Sequence, residues 1–140
     1  METNARLVEV GELLTGVRGF RWRVLKFLGE GAFGAVVLAR SIGGDQEVAL
    51  KIENAAQEVR TLRQEVAVLE ALNAAGKRYC CYLFDKGRKK DVYNWMAMSL
   101  VGKALDKLRE MTPRGHFSLP TALYLAVNTL KAIQEVHEVR

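Results

Sequence analysis

Phe20, Trp22 and Val24 alternate with Arg21 and Arg23, the period of a half-buried strand running toward Gly29. Ala35–Ala39 (AVVLA) is a short, Val-rich apolar run, and SIGGDQ (Ser41 to Gln46) is strong turn chemistry. EVALKIE follows as another strand, so the order is strand, glycine loop, strand, turn, strand: an antiparallel meander. Val59, Leu62, Val66, Leu69 and Leu72 then recur at helical spacing and predict an amphipathic helix from about Ala55 to Leu72. Tyr79–Phe84 (YCCYLF) and Val92–Leu100 (VYNWMAMSL) read as two further strands. A short helix over Ala104–Glu110 and the turn TPRG (Thr112 to Gly115) precede a long helix over Leu119–Arg140. Ser118 is its expected cap, Pro120 fits its first turn, and its apolar face carries Leu123, Ala126, Val127, Leu130, Ile133 and Val136 or His137.

With 140 residues and 49% hydrophobic content the chain is at most one ordinary globular domain. No apolar run approaches the roughly 18 residues of a membrane span, so no membrane partner is expected. The opening METNARLVEVGELL has acids where a secretory signal is basic, and no targeting segment is read from it. Cys80 and Cys81 are adjacent on an expected strand and so point to opposite faces. That disfavours a disulfide or metal framework and suggests an intracellular, cytoplasmic setting, with the nucleus also open. Net charge is +5 but uneven: Lys77, Arg78, Lys86, Arg88, Lys89 and Lys90 fall within fourteen residues holding one acid, Asp85. A solvated hairpin turn is the plain reading. An anionic partner is the other, although no aromatic residues interleave the second half as nucleic-acid binding would want.

The stretch GEGAFGAVVLAR contains Gly29, Gly31 and Gly34 at a GxGxxG spacing. Alone this is weak, because it suits a dinucleotide turn, a kinase loop or an ordinary bend. A dinucleotide unit would open a helix at the last glycine, and Glu53, nineteen residues past Gly34, even stands where that fingerprint wants an acid. The β-branched residues and Gly-Gly-Asp turn between them argue against that helix. In EVALKIE, Val48, Leu50 and Ile52 share one face while Ala49 and Lys51 share the other. A lysine between apolar neighbours in a strand interior wants an anion. A polyphosphate under the glycine loop would serve, as would Glu65, at the edge of the following helix's apolar stripe. Lys51 could instead guard a sheet edge, and Glu65 could be a surface acid near Arg60 and Arg63.

GEGAFGAV, then VALK, then a helix glutamate fourteen residues after the lysine resemble the N-terminal lobe of a eukaryotic protein kinase. LRQEVAVLEAL, MAMSLVGKALDKLR and TPRGHFSLPTALYLAVNTLKAIQEVH resemble the casein kinase 1 superfamily, and within it the tau-tubulin kinase-like branch. The resemblance runs from about Val10 to the C-terminus. It implies an α+β fold: a five-stranded antiparallel sheet with one helix, followed by a hinge and the first helices of a second lobe. Residues 1–19 would be an N-terminal extension, 20–101 the ATP-binding lobe, and 102–140 the start of the second lobe.

The same resemblance implies the site. Gly29, Glu30, Gly31, Ala32, Phe33 and Gly34 would form the loop over the phosphates, and Val36 and Ala49 the roof over adenine. Lys51 would hold the α and β phosphates, oriented by Glu65, and these two are the expected catalytic residues. Met98 would control the back pocket, and Ser99, Leu100 and Val101 would be the hinge, Ser99 replacing an expected acidic or amide residue. ATP is the implied cofactor, with Mg²⁺ ligands expected only beyond Arg140. The catalytic loop is expected there too; His137 precedes it and reads as a packing residue. The 140 residues alone are therefore not expected to catalyse phosphoryl transfer, although the parent reads as a serine/threonine kinase. Its protein targets would be acidic or already phosphorylated. A non-catalytic kinase-like binding module is the alternative, and the uncovered face of the last helix is expected to favour self-association.

Overall fold

The computed structural model describes residues 6–31 and 33–139, which form two compact units. The first takes the chain up to Glu70 together with Cys81–Leu100, and the second takes Ala71–Cys80 with the chain from Val101 onward.

Six antiparallel strands build the first unit: β1 (Leu13–Thr15), β2 (Arg21–Gly31), β3 (Gly34–Ser41), β4 (Glu47–Asn54), β5 (Leu83–Lys89) and β6 (Tyr93–Ser99). Their order across the sheet is β1-β2-β3-β4-β6-β5, so the predicted meander is present as β2-β3-β4. One strand more than expected is present, because the three-residue β1 pairs with Arg21–Arg23 inside the expected N-terminal extension. Val48, Leu50 and Ile52 of β4 lie on one face with Trp22, Val24, Val37, Tyr93, Trp95 and Ala97, forming the main core. On the other face Leu62 and Val66 pack with Leu83 and Met96. The two-residue strand period therefore sends successive β4 side chains to opposite sides.

Helix α1 (Leu62–Ala74) begins seven residues later than its periodicity suggests. Residues 55–61 are turn and loop, and Val59, which fits the helical spacing, is 72% exposed. The strand expected over Tyr79–Phe84 is displaced to β5, so Cys80 and Cys81 precede the strand and do not sit on opposite faces of one. The basic cluster is likewise not all turn. Lys86, Arg88 and Lys89 stand on β5, and the bend itself is Lys90–Val92, with Asp91 at φ 59°. A register shift between Leu83 and Asp85 accommodates the fully buried Asp85, whose Oδ1 accepts from the backbone N–H groups of Arg18 and Lys86.

Tyr93 is 3% exposed in the main core, and burial, with some help from Glu12, pushes its phenol up to about 12. An unfolded tyrosine ionises near 10, so the folded form favours the neutral phenol. Stability is therefore intact below pH 10 and falls as pH climbs from 10 toward 12, by on the order of 2 kcal/mol. Tyr93→Phe should flatten that alkaline loss in denaturant midpoints measured against pH; an unchanged pH dependence would assign it elsewhere.

The second unit holds α2 (Leu105–Glu110) and α3 (Leu119–Glu138). Ser118 caps α3 by accepting from the Thr121 N–H at 3.4 Å, with Pro120 in the first turn. Glu135 of α3 accepts from the Arg78 and Tyr79 N–H groups, and Lys77 pairs with Glu138. That pair raises the lysine's pKa and lowers the carboxylate's. Leu123, Val127, Leu130, Ile133 and Val136 are exposed along α3. His137, expected to pack, is exposed as well. Among the described residues no helix is long and apolar enough to cross a membrane.

Candidate functional site

Because Val48, Leu50 and Ile52 occupy the core face of β4, Lys51 and Glu53 emerge together on the α1 side. The Lys51 ammonium donates to both oxygens of Glu65, at 2.6 Å to Oε2 and 2.9 Å to Oε1. Glu65 lies in the first turn of α1, where the helix dipole favours a carboxylate, and Thr61 Oγ1 donates to its Oε1 at 3.2 Å. The two partners are 39% and 35% exposed, so the pair is accessible to an incoming anion and its own contribution to stability is at most about 1 kcal/mol.

Glu53 holds the start of α1. Its Oε1 accepts from the backbone N–H groups of Thr61 (2.8 Å) and Leu62 (3.1 Å), two of the donors that a helix N-terminus leaves unsatisfied. The acceptor comes from the strand that also carries Lys51. Sequence reasoning missed this role, having weighed Glu53 only as a dinucleotide-site acid. The one available signal was a charged residue in the interior of an otherwise apolar strand end. Glu53→Ala would leave those amides without their partner in a region where Glu53 itself is 9% exposed. A loss of about 1–3 kcal/mol is expected, with faster hydrogen exchange at Thr61–Glu65; unchanged exchange there would show that the cap does not hold the helix.

The glycines form the turn between β2 and β3. Gly31 pairs with Gly34, and the third glycine opens a strand, not a helix, which excludes the dinucleotide geometry. The Asn54 N–H donates to the Phe33 carbonyl at 3.2 Å, tying the loop's tip to the end of β4, while the Phe33 ring is exposed. Gly29 and Gly31 leave open space where a Cβ would stand, and Gly34 fits only because it has none. Beneath the loop lies a cavity of about 240 Å³ lined by Gly29, Glu30, Gly31, Phe33, Gly34, Val36 and Lys51, with Glu53, Thr61 and Leu62 at its far side. Ala32 lies outside the described residues. A bare backbone over an accessible ammonium is a fitting receptor for a polyphosphate.

Ala49, Met98, Ser99, Leu100 and Val101 are not among the residues lining this cavity. Ala49 is buried and lies opposite Met98 across β4 and β6. Met98 lines a separate cavity of about 450 Å³ with Met96, Leu69 and Glu65. Ser99 is tied to Tyr82, its N–H donating to the Tyr82 carbonyl and its Oγ accepting from the Tyr82 N–H at 2.8 Å. Leu100, the last residue of the first unit, and Val101, the first of the next segment, are exposed. Among the described residues no three His, Cys, Asp or Glu side chains gather as a metal site.

An antiparallel sheet with a glycine turn, a lysine on β4 and a helix glutamate has the fold of a protein kinase N-terminal lobe. The solved structure of vaccinia related kinase 3 matches with a TM-score of 0.79 at 19% identity, covering 99% of this chain and 44% of that one. By sequence, a probable serine/threonine-protein kinase of Dictyostelium discoideum is 38% identical over 128 residues, 91% of this chain and 24% of that protein. The serine/threonine-protein kinase spe-6 of Caenorhabditis elegans is 34% identical over 118 residues, 84% of this chain and 30% of that protein. Casein kinase I homolog 3 of Schizosaccharomyces pombe is 32% identical over 124 residues, 89% of this chain and 27% of that protein. No protein-family model matches the chain. The chain is thus a homologue of serine/threonine kinases, casein kinase 1 proteins among them, and spans less than a third of the length of each of these relatives.

Proposed function

We propose that residues 20–101 bind ATP as the nucleotide lobe of an intracellular serine/threonine kinase of the casein kinase 1 group, tau-tubulin kinase-like in its sequence blocks. Residues 102–140 then begin the second lobe. The observation that carries this reading is the bidentate Lys51–Glu65 contact beside a cavity lined by Gly29, Gly31 and Gly34. In this role Lys51 neutralises the α and β phosphates, and Glu65, steadied by Thr61, keeps the ammonium aimed at them. Loop N–H groups approach the phosphates where glycine leaves room, while Val36 and Ala49 cover adenine and Met98 bounds the space behind it. The backbone of Ser99, Leu100 and Val101 reads the adenine edge. Magnesium, when bound with the nucleotide, supplies charge neutralisation on the transferring phosphoryl group. The whole protein then passes the γ-phosphoryl to Ser or Thr hydroxyls of acidic or previously phosphorylated proteins. The exposed apolar row on α3 favours self-association within the same reading.

Nucleotide titration tests it directly. ATP should raise the thermal midpoint of the 140-residue chain in a concentration-dependent manner, and a flat midpoint up to millimolar ATP would overturn the assignment.

A further inference from the structure

A second cluster of cations lies between α1 and β5, only partly neutralised by acids. Arg60, just before α1, Arg63 in its first turn, and Lys86 and Arg88 on β5 line one cavity of about 640 Å³, with the apolar sides of Leu62 and Val66 between them. Lys86 is answered by Glu70 at 2.7 Å, which also meets Arg18. The other three are not answered. The Arg60 guanidinium donates only to the backbone carbonyls of Ala55 and Gln57. Among the described residues Arg63 and Arg88 form no ion pair or side-chain hydrogen bond. Glu53 reaches the same cavity, but its Oε1 is committed to the α1 backbone. An adjoining recess of about 280 Å³ carries Lys90 and Lys89, the latter 3.8 Å from Glu12, with Asp91 as the acid in its lining.

Three guanidinium forks around an apolar floor suit one kind of occupant. Arginine offers paired N–H donors that match a carboxylate bidentately, and it gives up its hydration more readily than lysine does. Leu62 and Val66 offer nothing to a polyanion such as RNA, and no aromatic side chain other than Trp95 lines the cavity for bases to stack on. A protein segment with carboxylates on both sides of one bulky apolar side chain satisfies both halves at once. We propose that the groove between α1 and β5 is a docking site for such an acidic segment, adjoining the nucleotide cavity across Glu53 and Leu62. Occupancy braces α1 against the sheet, because its contacts fall on the helix's first turn and on the neighbouring strand.

Fluorescence anisotropy with the full chain and a labelled peptide of sequence GSEEFEEGS tests this. Micromolar binding is expected, weakening with added salt. Arg63→Glu with Arg88→Glu should weaken it at least tenfold while the thermal midpoint stays near that of the parent, both side chains being exposed. Replacing the peptide's Phe by Ala should weaken binding at least threefold. The peptide titration is read without nucleotide, so this result and the nucleotide result fail independently. Absence of binding, equal binding of the Ala peptide, indifference to the charge reversals, or tighter binding of an oligouridine of matched charge would each overturn the proposal.

Discussion

Lys51→Met is expected to abolish most nucleotide-dependent stabilisation while leaving the unliganded fold nearly intact. The two halves of that expectation have different origins. Without ligand, the variant loses only a partly exposed ion pair, worth about 0–1 kcal/mol, and the unbranched methionine replaces most of the aliphatic stem. With ligand, it loses a charge-assisted contact to phosphate. A ten- to hundredfold weaker affinity corresponds to about 1.4–2.8 kcal/mol. At a nucleotide concentration 100 times the parent's Kd, where the parent gains about 2.7 kcal/mol, the variant would gain only about 0.4–1.4 kcal/mol. Calorimetric titration and thermal shift on parent and variant together make the check. Equal stabilisation of the two would place the phosphates somewhere other than over residue 51.

Gly34→Ala should be the most damaging substitution in the glycine loop, for a steric reason. A Cβ there would stand 1.9 Å from the Ile52 carbonyl oxygen and 2.9 Å from its carbon. These are backbone atoms of the central strand β4, which cannot swing aside like a side-chain tip. The β2–β3 turn must lift instead, breaking the Gly34–Glu53 register and the Phe33–Asn54 hydrogen bond. About 1–3 kcal/mol should be lost, and nucleotide affinity with it. Gly29→Ala provides the contrast. Its added Cβ would meet nothing within 4 Å, so stability should stay within about 0.5 kcal/mol while nucleotide affinity falls. Thermal melts with and without ATP separate the two. If Gly34→Ala melts with the parent and Gly29→Ala does not, the loop geometry described above is wrong.

Much of this site could be read from residues, because strand parity and helical spacing are local properties. Parity put Lys51 opposite Val48, Leu50 and Ile52, and roughly 100° per residue put Glu65 beside Leu62 and Leu69, so their meeting follows from two short windows. What escaped depends on partners distant in sequence. Val59 obeys the helical spacing, yet α1 starts at Leu62, where the carboxylate of Glu53 receives the first amides. YCCYLF is the more apolar stretch, yet the strand is LFDKGRK. Its pairing with β6 and the anchoring of buried Asp85 by the Arg18 amide outweigh hydrophobicity. β1 is too short for any alternation to register. Ala49 and Met98, expected on the adenine side, stand opposite each other only because β4 pairs with β6, a meeting of segments distant in sequence that nothing local specifies.

One short strand end grips the helix in two places, and this limits how the helix can travel. Lys51 and Glu53 stand two residues apart on β4, the first holding the Glu65 side chain and the second the backbone at Thr61 and Leu62. Sliding α1 along its axis would break both grips together. Tilting it about Thr61 would spare the second grip and break the first, together with the Glu70 contacts to Lys86 and Arg18 farther along the helix. The disengaging motion that keeps the helix tethered is therefore a lever stroke with its fulcrum at residues 61 and 62, small at that end and larger toward Glu70.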